Sequence, residues 1–167
     1  MKKMVLSLAL GGVLGSAWAA PAYLRFPSVR GDQLVFTAEG DLWKTSLQGG
    51  QAQRLTTHPA AETQSAISFD KKWVAFVAAY EGSSEAYVMP AQGGVPKRIT
   101  FENEVVNVLG WTPEGEVLVS TLNSTGPNAH RIIAAVNPQT MKRRVFPVAD
   151  ANEAVLDDSG RYLYFTR

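Results

Sequence analysis

Short motifs recur along this chain at a constant spacing, and this repeat constrains the fold more than any other feature. Three motifs return 44 positions later, and a fourth is found three times. Several independent motifs that share one spacing indicate a repeated structural unit. The matched segments are 41–43 with 85–87, 48–50 with 92–94, 54–56 with 98–100, and 68–72 with 112–116 and 157–161.

Each repeat contains four short segments that are typical of β-strands. Trp73–Val77 and Ala86–Met89 are rich in β-branched and aromatic residues, and the double glycines suit tight hairpins. Four strands in about 44 residues match one blade of a β-propeller, whose faces neighbouring blades must cover. A β-sandwich would give similar strand spacing but no reason for the repeated motif. We therefore predict an all-β fold, a β-propeller of four-stranded blades.

The repeat also predicts where the blades lie. We expect blades at about 27–56, 66–100 and 107–148, with the start of the next at 153–167. Because propellers close with roughly four to eight blades, about three and a half blades would be an incomplete ring. The sequence thus predicts a partial N-terminal propeller over residues 20–167, from a parent with six blades.

The first 19 residues have the pattern of a secretory signal. Lys2 and Lys3 precede the uncharged run 4–15, and Ala17 and Ala19 supply small residues before the expected cut. A transmembrane anchor is the alternative, but the run is shorter than the roughly 20 apolar residues needed to span a bilayer. We predict a signal peptide at 1–19, cleavage after Ala19, a periplasmic protein and no stable membrane anchor.

Composition excludes several classes of function. The chain has no cysteine, which removes disulfides, thiolate metal sites and cysteine nucleophiles. Its formal net charge is +1, and loss of residues 1–19 would remove two lysines and no acid, which gives −1. Nucleic-acid binding would need a basic stripe, so no nucleic acid is expected as a partner.

Four segments resemble the N-terminal propeller of the tricorn protease family. They carry the family's GDLW strand, its GG-x-x-x-RLT unit and its SPDGKWIAF-like turn and strand, in that order, and the resemblance covers Ala22 to Arg167. Tol-system and prolyl-oligopeptidase-type propellers share the blade motif, but the GDLW strand close to the signal peptide favours tricorn. The segments are Phe36–Trp43 (FTAEGDLW), Gln48–Thr57 (QGGQAQRLTT), Ile67–Phe76 (ISFDKKWVAF) and Val88–Thr100 (VMPAQGGVPKRIT).

The resemblance implies a large periplasmic serine peptidase, a hydrolase with propellers first and its catalytic domains later in the chain. The propeller would gate or filter peptides or unfolded protein, and the parent would be a homo-oligomer. No residue here matches the family's catalytic serine or histidine. The alternative is a Tol-system-like periplasmic binding module that docks a partner or a cell-wall component.

Departures from the family pattern fall in the turns. Phe69 and Lys71 replace Pro and Gly, and Asp158 and Ser159 replace Pro and Asp. We expect Lys71 to adopt the backbone conformation that glycine adopts easily.

We predict no catalytic, cofactor-binding or metal site in this sequence. Neither His58 nor His130 has a nearby Gly-x-Ser-x-Gly elbow, so both are expected to be solvated loop or rim residues. Trp43, Trp73 and Trp111 are expected to pack between blades, with a ligand platform as the alternative. Five acids at turns are expected to bond to local backbone amides; they are Asp32, Asp41, Asp70, Asp157 and Asp158.

Overall fold

A computed structural model describes residues 23–123 and 130–167, which form β-strands joined by turns. The predicted signal peptide at 1–19 lies outside the described residues. Within the described part of the chain, no helix is long and apolar enough to cross a membrane. The strands are β1 Arg25–Arg30, β2 Gln33–Ala38, β3 Asp41–Ser46, β4 Gln53–Arg54, β5 Glu62–Ile67, β6 Trp73–Ala78, β7 Glu85–Pro90, β8 Lys97–Arg98, β9 Asn107–Trp111, β10 Val117–Asn123, β11 His130–Val136, β12 Arg143–Ala149, β13 Glu153–Leu156 and β14 Leu163–Thr166.

The strands form three four-stranded sheets and one two-stranded sheet, all antiparallel. The sheets are β1-β2-β3-β4 (blade 1), β5-β6-β7-β8 (blade 2), β9-β10-β11-β12 (blade 3) and β13-β14 (blade 4). This meander is the blade of a propeller, so the predicted all-β propeller class is confirmed. The first strand of blade 2 begins at Glu62, earlier than the predicted Ala66.

Neighbouring blades stack through buried apolar faces. Val35 and Leu42 of blade 1 pack with Val74 and Phe76 of blade 2. Further cores join blade 2 to blade 3 and blade 3 to blade 4. Each fully buried aliphatic side chain contributes about 1.5–3 kcal/mol, so contacts between blades are a main source of stability.

The turn between the first two strands of a blade requires the left-handed backbone conformation at one position. Lys71 has φ 61°, and the aligned Gly115 and Gly160 have φ 82° and 69°. The prediction for Lys71 is therefore confirmed. A side chain at Gly160 would also approach Pro113 to 3.1 Å, because adjacent turns pack closely.

The first strand of each blade lies innermost, so β1, β5, β9 and β13 stand side by side around a central channel. The blade-to-blade connections 55–61, 99–106 and 150–152 lie at one end of this channel, which we call the connection rim. The turns 31–32, 68–72, 112–116 and 157–162 lie at the other end, the turn rim. At the turn rim, Arg30 of blade 1 is 3.2 Å from Asp158 of blade 4.

Candidate functional site: the central channel

The inner strands of all four blades contribute to one concave surface. It encloses about 450 Å³ near the connection rim. Its lining combines neutral amide and hydroxyl groups with small apolar side chains and a single carboxylate. The lining residues are Phe26, Pro27, Gln64, Ser65, Asn107, Val108, Leu109, Asn152, Glu153 and Ala154.

Three inner strands are bulged where they line this surface. The register shifts between Arg25 and Ser28 in β1, between Thr63 and Ala66 in β5, and between Val108 and Gly110 in β9. The bulged residues Phe26 and Gln64 have φ 50° and 51°. A bulge re-aims side chains and bends the strand, and all three bulges lie at the channel wall.

Side chains of one inner strand bond to the backbone of the next. The Ile67 amide donates to Ser28 Oγ at 3.0 Å, and Ser65 Oγ donates to the Phe26 carbonyl at 3.3 Å. Between β5 and β9, the Val108 amide donates to Gln64 Oε1 at 3.2 Å. Gln64 Nε2 also donates to Asn107 Oδ1 at 3.0 Å. These bonds tie the channel wall together from blade to blade.

The connection rim carries an acid–arginine–threonine cluster in blades 1 and 2, formed by the repeated motifs. In blade 1, Arg54 donates to Asp41, and Thr56 Oγ1 accepts from the Leu42 amide at 2.8 Å. In blade 2, Arg98 donates to Glu85 at 2.9 Å and Thr100 Oγ1 donates to Glu85 at 2.6 Å. The motifs recur 44 positions apart because each of these two blades needs the same acid, arginine and threonine at the same places.

Glu85 is fully buried and still favours its charged form. Burial raises its pKa, but hydrogen bonds from Thr100, from the backbone amides of Asn103 and Glu102 and from Arg98 outweigh this effect. The pKa of Glu85 is consequently lowered from its ordinary value.

Glu62 is also fully buried, at the interface of blades 1 and 2, but its partners are neutral. It accepts hydrogen bonds from Tyr80 at 2.6 Å and from Thr56 at 2.7 Å. Burial raises the pKa of Glu62, the two hydrogen bonds offset this only in part, and the nearby Asp41 raises it further. The two buried glutamates therefore have pKa shifts of opposite sign. Glu85 accepts from Thr100, two backbone amides and Arg98, whereas Glu62 accepts from two hydroxyl groups only, which do not offset its burial.

The two histidines lie toward the connection rim. His58 is exposed, its Nδ1 accepts from the Ala60 amide at 3.0 Å, and its ring contacts that of Tyr80 at 4.0 Å between centroids. His130 is half-buried at the start of β11.

The acids that were expected to bond to local backbone amides differ in their actual partners. Asp70 and Asp157 bond to the amides of Lys72 and Tyr162, as predicted. The prediction is wrong for Asp41, which is buried on β3 and pairs with Arg54, and for Asp158, which pairs with Arg30 across the channel. The Asp32 carbonyl accepts from the Leu47 amide. Among residues 23–123 and 130–167, no group of three or more His, Asp or Glu side chains is placed to hold a metal ion.

The three tryptophans that were expected to pack between blades differ in their burial. Trp111 is 5% exposed and donates to the Ala66 carbonyl at 2.9 Å, which confirms packing between blades 2 and 3. Trp43 is half-buried and bonds to Ala38 within its own blade. The packing prediction is wrong for Trp73, which is 42% exposed at a cleft of about 460 Å³ between blades 2 and 3.

Sequence reasoning missed the buried glutamates. The motif alignment matches Asp41 with Glu85 and Arg54 with Arg98, so a charge pair was visible in the repeat. Glu62 has no acidic counterpart 44 positions later, where Val106 stands, and only the packing of blade 1 on blade 2 reveals it.

Comparison with known proteins gives consistent matches. Residues 21–167 match the family model of the tricorn protease N-terminal beta propeller domain. The chain is 42% identical over 101 residues to tricorn protease homolog 1 of Streptomyces coelicolor, covering 60% of this chain and 10% of that protein. It is 31% identical over 103 residues to a tricorn protease homolog of Saccharolobus solfataricus, with the same two coverages. The chain thus spans about a tenth of the length of these curated relatives.

Solved structures show the same architecture. The crystal structure of the tricorn protease superposes with a TM-score of 0.71 at 20% identity, over 84% of this chain and 15% of that one. TolB from Acinetobacter baumannii superposes with a TM-score of 0.69 at 16% identity, over 86% and 37% of the two chains. At these identities the structural likeness shows the fold alone.

Proposed function

Because the chain belongs to the tricorn protease N-terminal β-propeller family, we propose that it serves as the propeller of a tricorn-type serine peptidase and gates the passage of peptides. The observation that carries the proposal is the concave channel surface to which the inner strands of all four blades contribute. A channel framed by rigid strands admits extended chains and excludes folded domains, which are far wider than one strand.

The chemistry of the wall suits this role. Gln64, Asn107 and Asn152 present amides, and Glu153 presents a carboxylate. Neutral polar groups and small apolar groups interact weakly with many side chains. We therefore propose that the substrates are peptides or unfolded protein without a fixed sequence.

We place peptide-bond hydrolysis in other parts of the parent peptidase. The family resemblance implies that the catalytic residues lie in later domains, and no residue of this chain matches the family's catalytic serine or histidine. The chain alone is therefore expected to leave a panel of fluorogenic peptides intact. Turnover that co-purifies with the chain and disappears on substitution of His58 or His130 would contradict this assignment.

We also propose export to the periplasm through residues 1–19 and a homo-oligomeric parent. The support for export is the Lys2-Lys3 head, the apolar run and the small residues before the cut. N-terminal sequencing of the secreted protein should begin at Ala20.

A Tol-system-like binding module remains the alternative function. The likeness to TolB supports the shared propeller fold, whereas the relatives named above by sequence are tricorn proteases. The reading frame that follows Arg167 in the gene discriminates the two: a PDZ-like stretch and a peptidase domain favour gating, and a stop after about six blades favours binding.

Blocking the channel tests the gating proposal. Since this chain lacks cysteine, Asn107→Cys in the whole peptidase gives this propeller one labelling site at the channel wall. A bulky maleimide there should slow hydrolysis of long peptides several-fold, while the same label on exposed Gln51→Cys should leave the rate unchanged. Equal rates for the two labelled proteins would overturn the proposal.

A further inference from the structure

The inner strands have a backbone edge that could capture peptides. In the described residues, β1, β5 and β9 each stand at the end of their sheet and pair with only one strand. An unpaired strand edge is a template on which an extended peptide can add as a further strand. In a channel that passes peptides, such an edge would retain them.

The amide of Ile67 shows that this edge faces the inner strand of the neighbouring blade. Ser68 donates its amide to the Trp73 carbonyl of β6 at 2.9 Å. In an antiparallel pair, successive residues direct their amides to opposite edges. The Ile67 amide therefore points away from β6, toward the neighbouring inner strand, where it meets Ser28 Oγ at 3.0 Å.

Side chains of adjacent blades occupy three of these edge groups. Ser28 accepts from the Ile67 amide, Gln64 accepts from the Val108 amide, and Ser65 donates to the Phe26 carbonyl. Each bond joins a side chain of one inner strand to the backbone of the next. A backbone group that is already hydrogen-bonded in this way is less available to bond to the backbone of a passing peptide.

Two other features blunt the same edges. Pro27 lies at the bulge of β1 and has no amide to donate. The bulges at Phe26 and Gln64 break the regular spacing that an added strand would need. Prolines and bulges are the devices by which natural sheets protect exposed edges.

We propose that Ser28, Gln64 and Ser65 cap the channel edges, so that an extended peptide passes without being held as an added strand. The peptide as occupant rests on the proposed function, whereas the capping itself rests on the hydrogen bonds. The contacts left to a peptide are made by partly exposed side chains such as Val29 and Val155, which are 52% and 58% exposed. Such contacts are weak and tolerate many sequences.

Removing the caps should increase peptide retention. The test uses the full chain, the triple variant Ser28→Ala, Gln64→Ala, Ser65→Ala, and a fluorescent ten-residue peptide of alternating Val and Thr. A control variant, Ser46→Ala with Gln51→Ala, removes one hydroxyl and one amide from the β3–β4 turn of blade 1, away from the channel wall. Fluorescence anisotropy should show binding about fivefold tighter for each freed group, since one net hydrogen bond contributes about 1 kcal/mol.

A second peptide of the same sequence, with alternate backbone nitrogens methylated, distinguishes strand pairing at the edge from nonspecific binding through side chains. The methylated peptide cannot form the backbone hydrogen bonds of an added strand, so it should bind the unmodified chain and the triple variant equally. Unchanged affinity for the plain peptide, or an equal gain for the methylated one, would overturn the proposal.

Single variants and amide exchange keep the test decisive if the triple variant fails to fold. Ser28→Ala should raise the exchange rate of the Ile67 amide about fivefold or more, with circular dichroism unchanged. An unchanged exchange rate would contradict capping. Because these measurements need no peptidase activity, their failure is distinct from failure of the channel-blocking experiment.

Discussion

The guanidinium of Arg98 lies 2.9 Å from the carboxylate of Glu85, and Glu85 is fully buried. Arg98 also contacts Glu81 at 2.9 Å and donates to the Thr100 carbonyl at 2.8 Å. Because β8 contains only Lys97 and Arg98, this cluster fastens the outermost strand of blade 2 to β7.

Removing the arginine should destabilise the protein strongly. Arg98→Met would leave the Glu85 charge buried without its partner, at a cost of about 3 kcal/mol in the free energy of unfolding. Arg54→Met should cost less, because half of the Arg54 side chain is exposed. Urea unfolding measures both, and equal losses for the two variants would contradict the assigned role of Glu85.

Glu62 should make stability fall as pH rises. The pKa of Glu62 in the folded state is raised above the ordinary value of 4.5 that applies to the unfolded chain. Between pH 4.5 and the folded-state pKa, the folded protein therefore binds more protons than the unfolded chain. Stability is therefore lost as pH rises through that window. Glu62→Gln should remove this dependence and stabilise the protein at pH 7.5, as judged by urea unfolding across pH 4–8.

Glu85→Gln provides the matched control with the opposite sign. The folded pKa of Glu85 is lowered below 4.5, so its contribution is present above pH 4.5 and is lost as pH falls. The variant should lose about 2 kcal/mol at neutral pH, and the loss should shrink in acid. If both glutamine variants shift the free energy of unfolding in the same direction at pH 7.5, the opposite pKa shifts assigned to Glu62 and Glu85 are wrong.

Sequence reasoning could predict the blade architecture because the repeat is itself a consequence of that architecture. The turn geometry at Lys71 followed from its alignment with Gly115. The channel wall could not be predicted, because Ser28 meets Ile67, and Gln64 meets Asn107, only when neighbouring blades stack. The role of Asp41 could not be predicted for a similar reason, because Arg54 reaches it only when folding places β4 beside β3.

The turn positions should respond oppositely to glycine and alanine. Lys71→Gly should stabilise by a few tenths of a kcal/mol, since relief of the left-handed strain exceeds the added entropy of the unfolded chain. Gly115→Ala should destabilise by about 1 kcal/mol. Thermal unfolding measures both, and a destabilised Lys71→Gly would show that contacts of the lysine side chain outweigh its backbone strain.

The two-stranded blade 4 should be less protected than the interior of blade 2. In the described residues β14 pairs with β13 alone, and its Tyr164 is 61% exposed. We expect amides of Leu163–Thr166 to exchange much faster than those of Val74–Val77. We also expect Tyr164→Lys to reduce self-association in light scattering, because an edge lysine opposes strand pairing between chains. Equal protection of the two strands would contradict the expectation.

Peptide contact along the inner strands can be measured by photo-crosslinking. An extended peptide with a benzophenone group would be irradiated with the full chain, and the attachment sites would be mapped by mass spectrometry. A peptide channel predicts attachment at 26–29, 64–67, 107–111 and 153–156, the segments that line the wall. Attachment mainly at the outermost strands β4, β8 and β12 would show that peptides bind the outside of the blades and that the channel does not pass them.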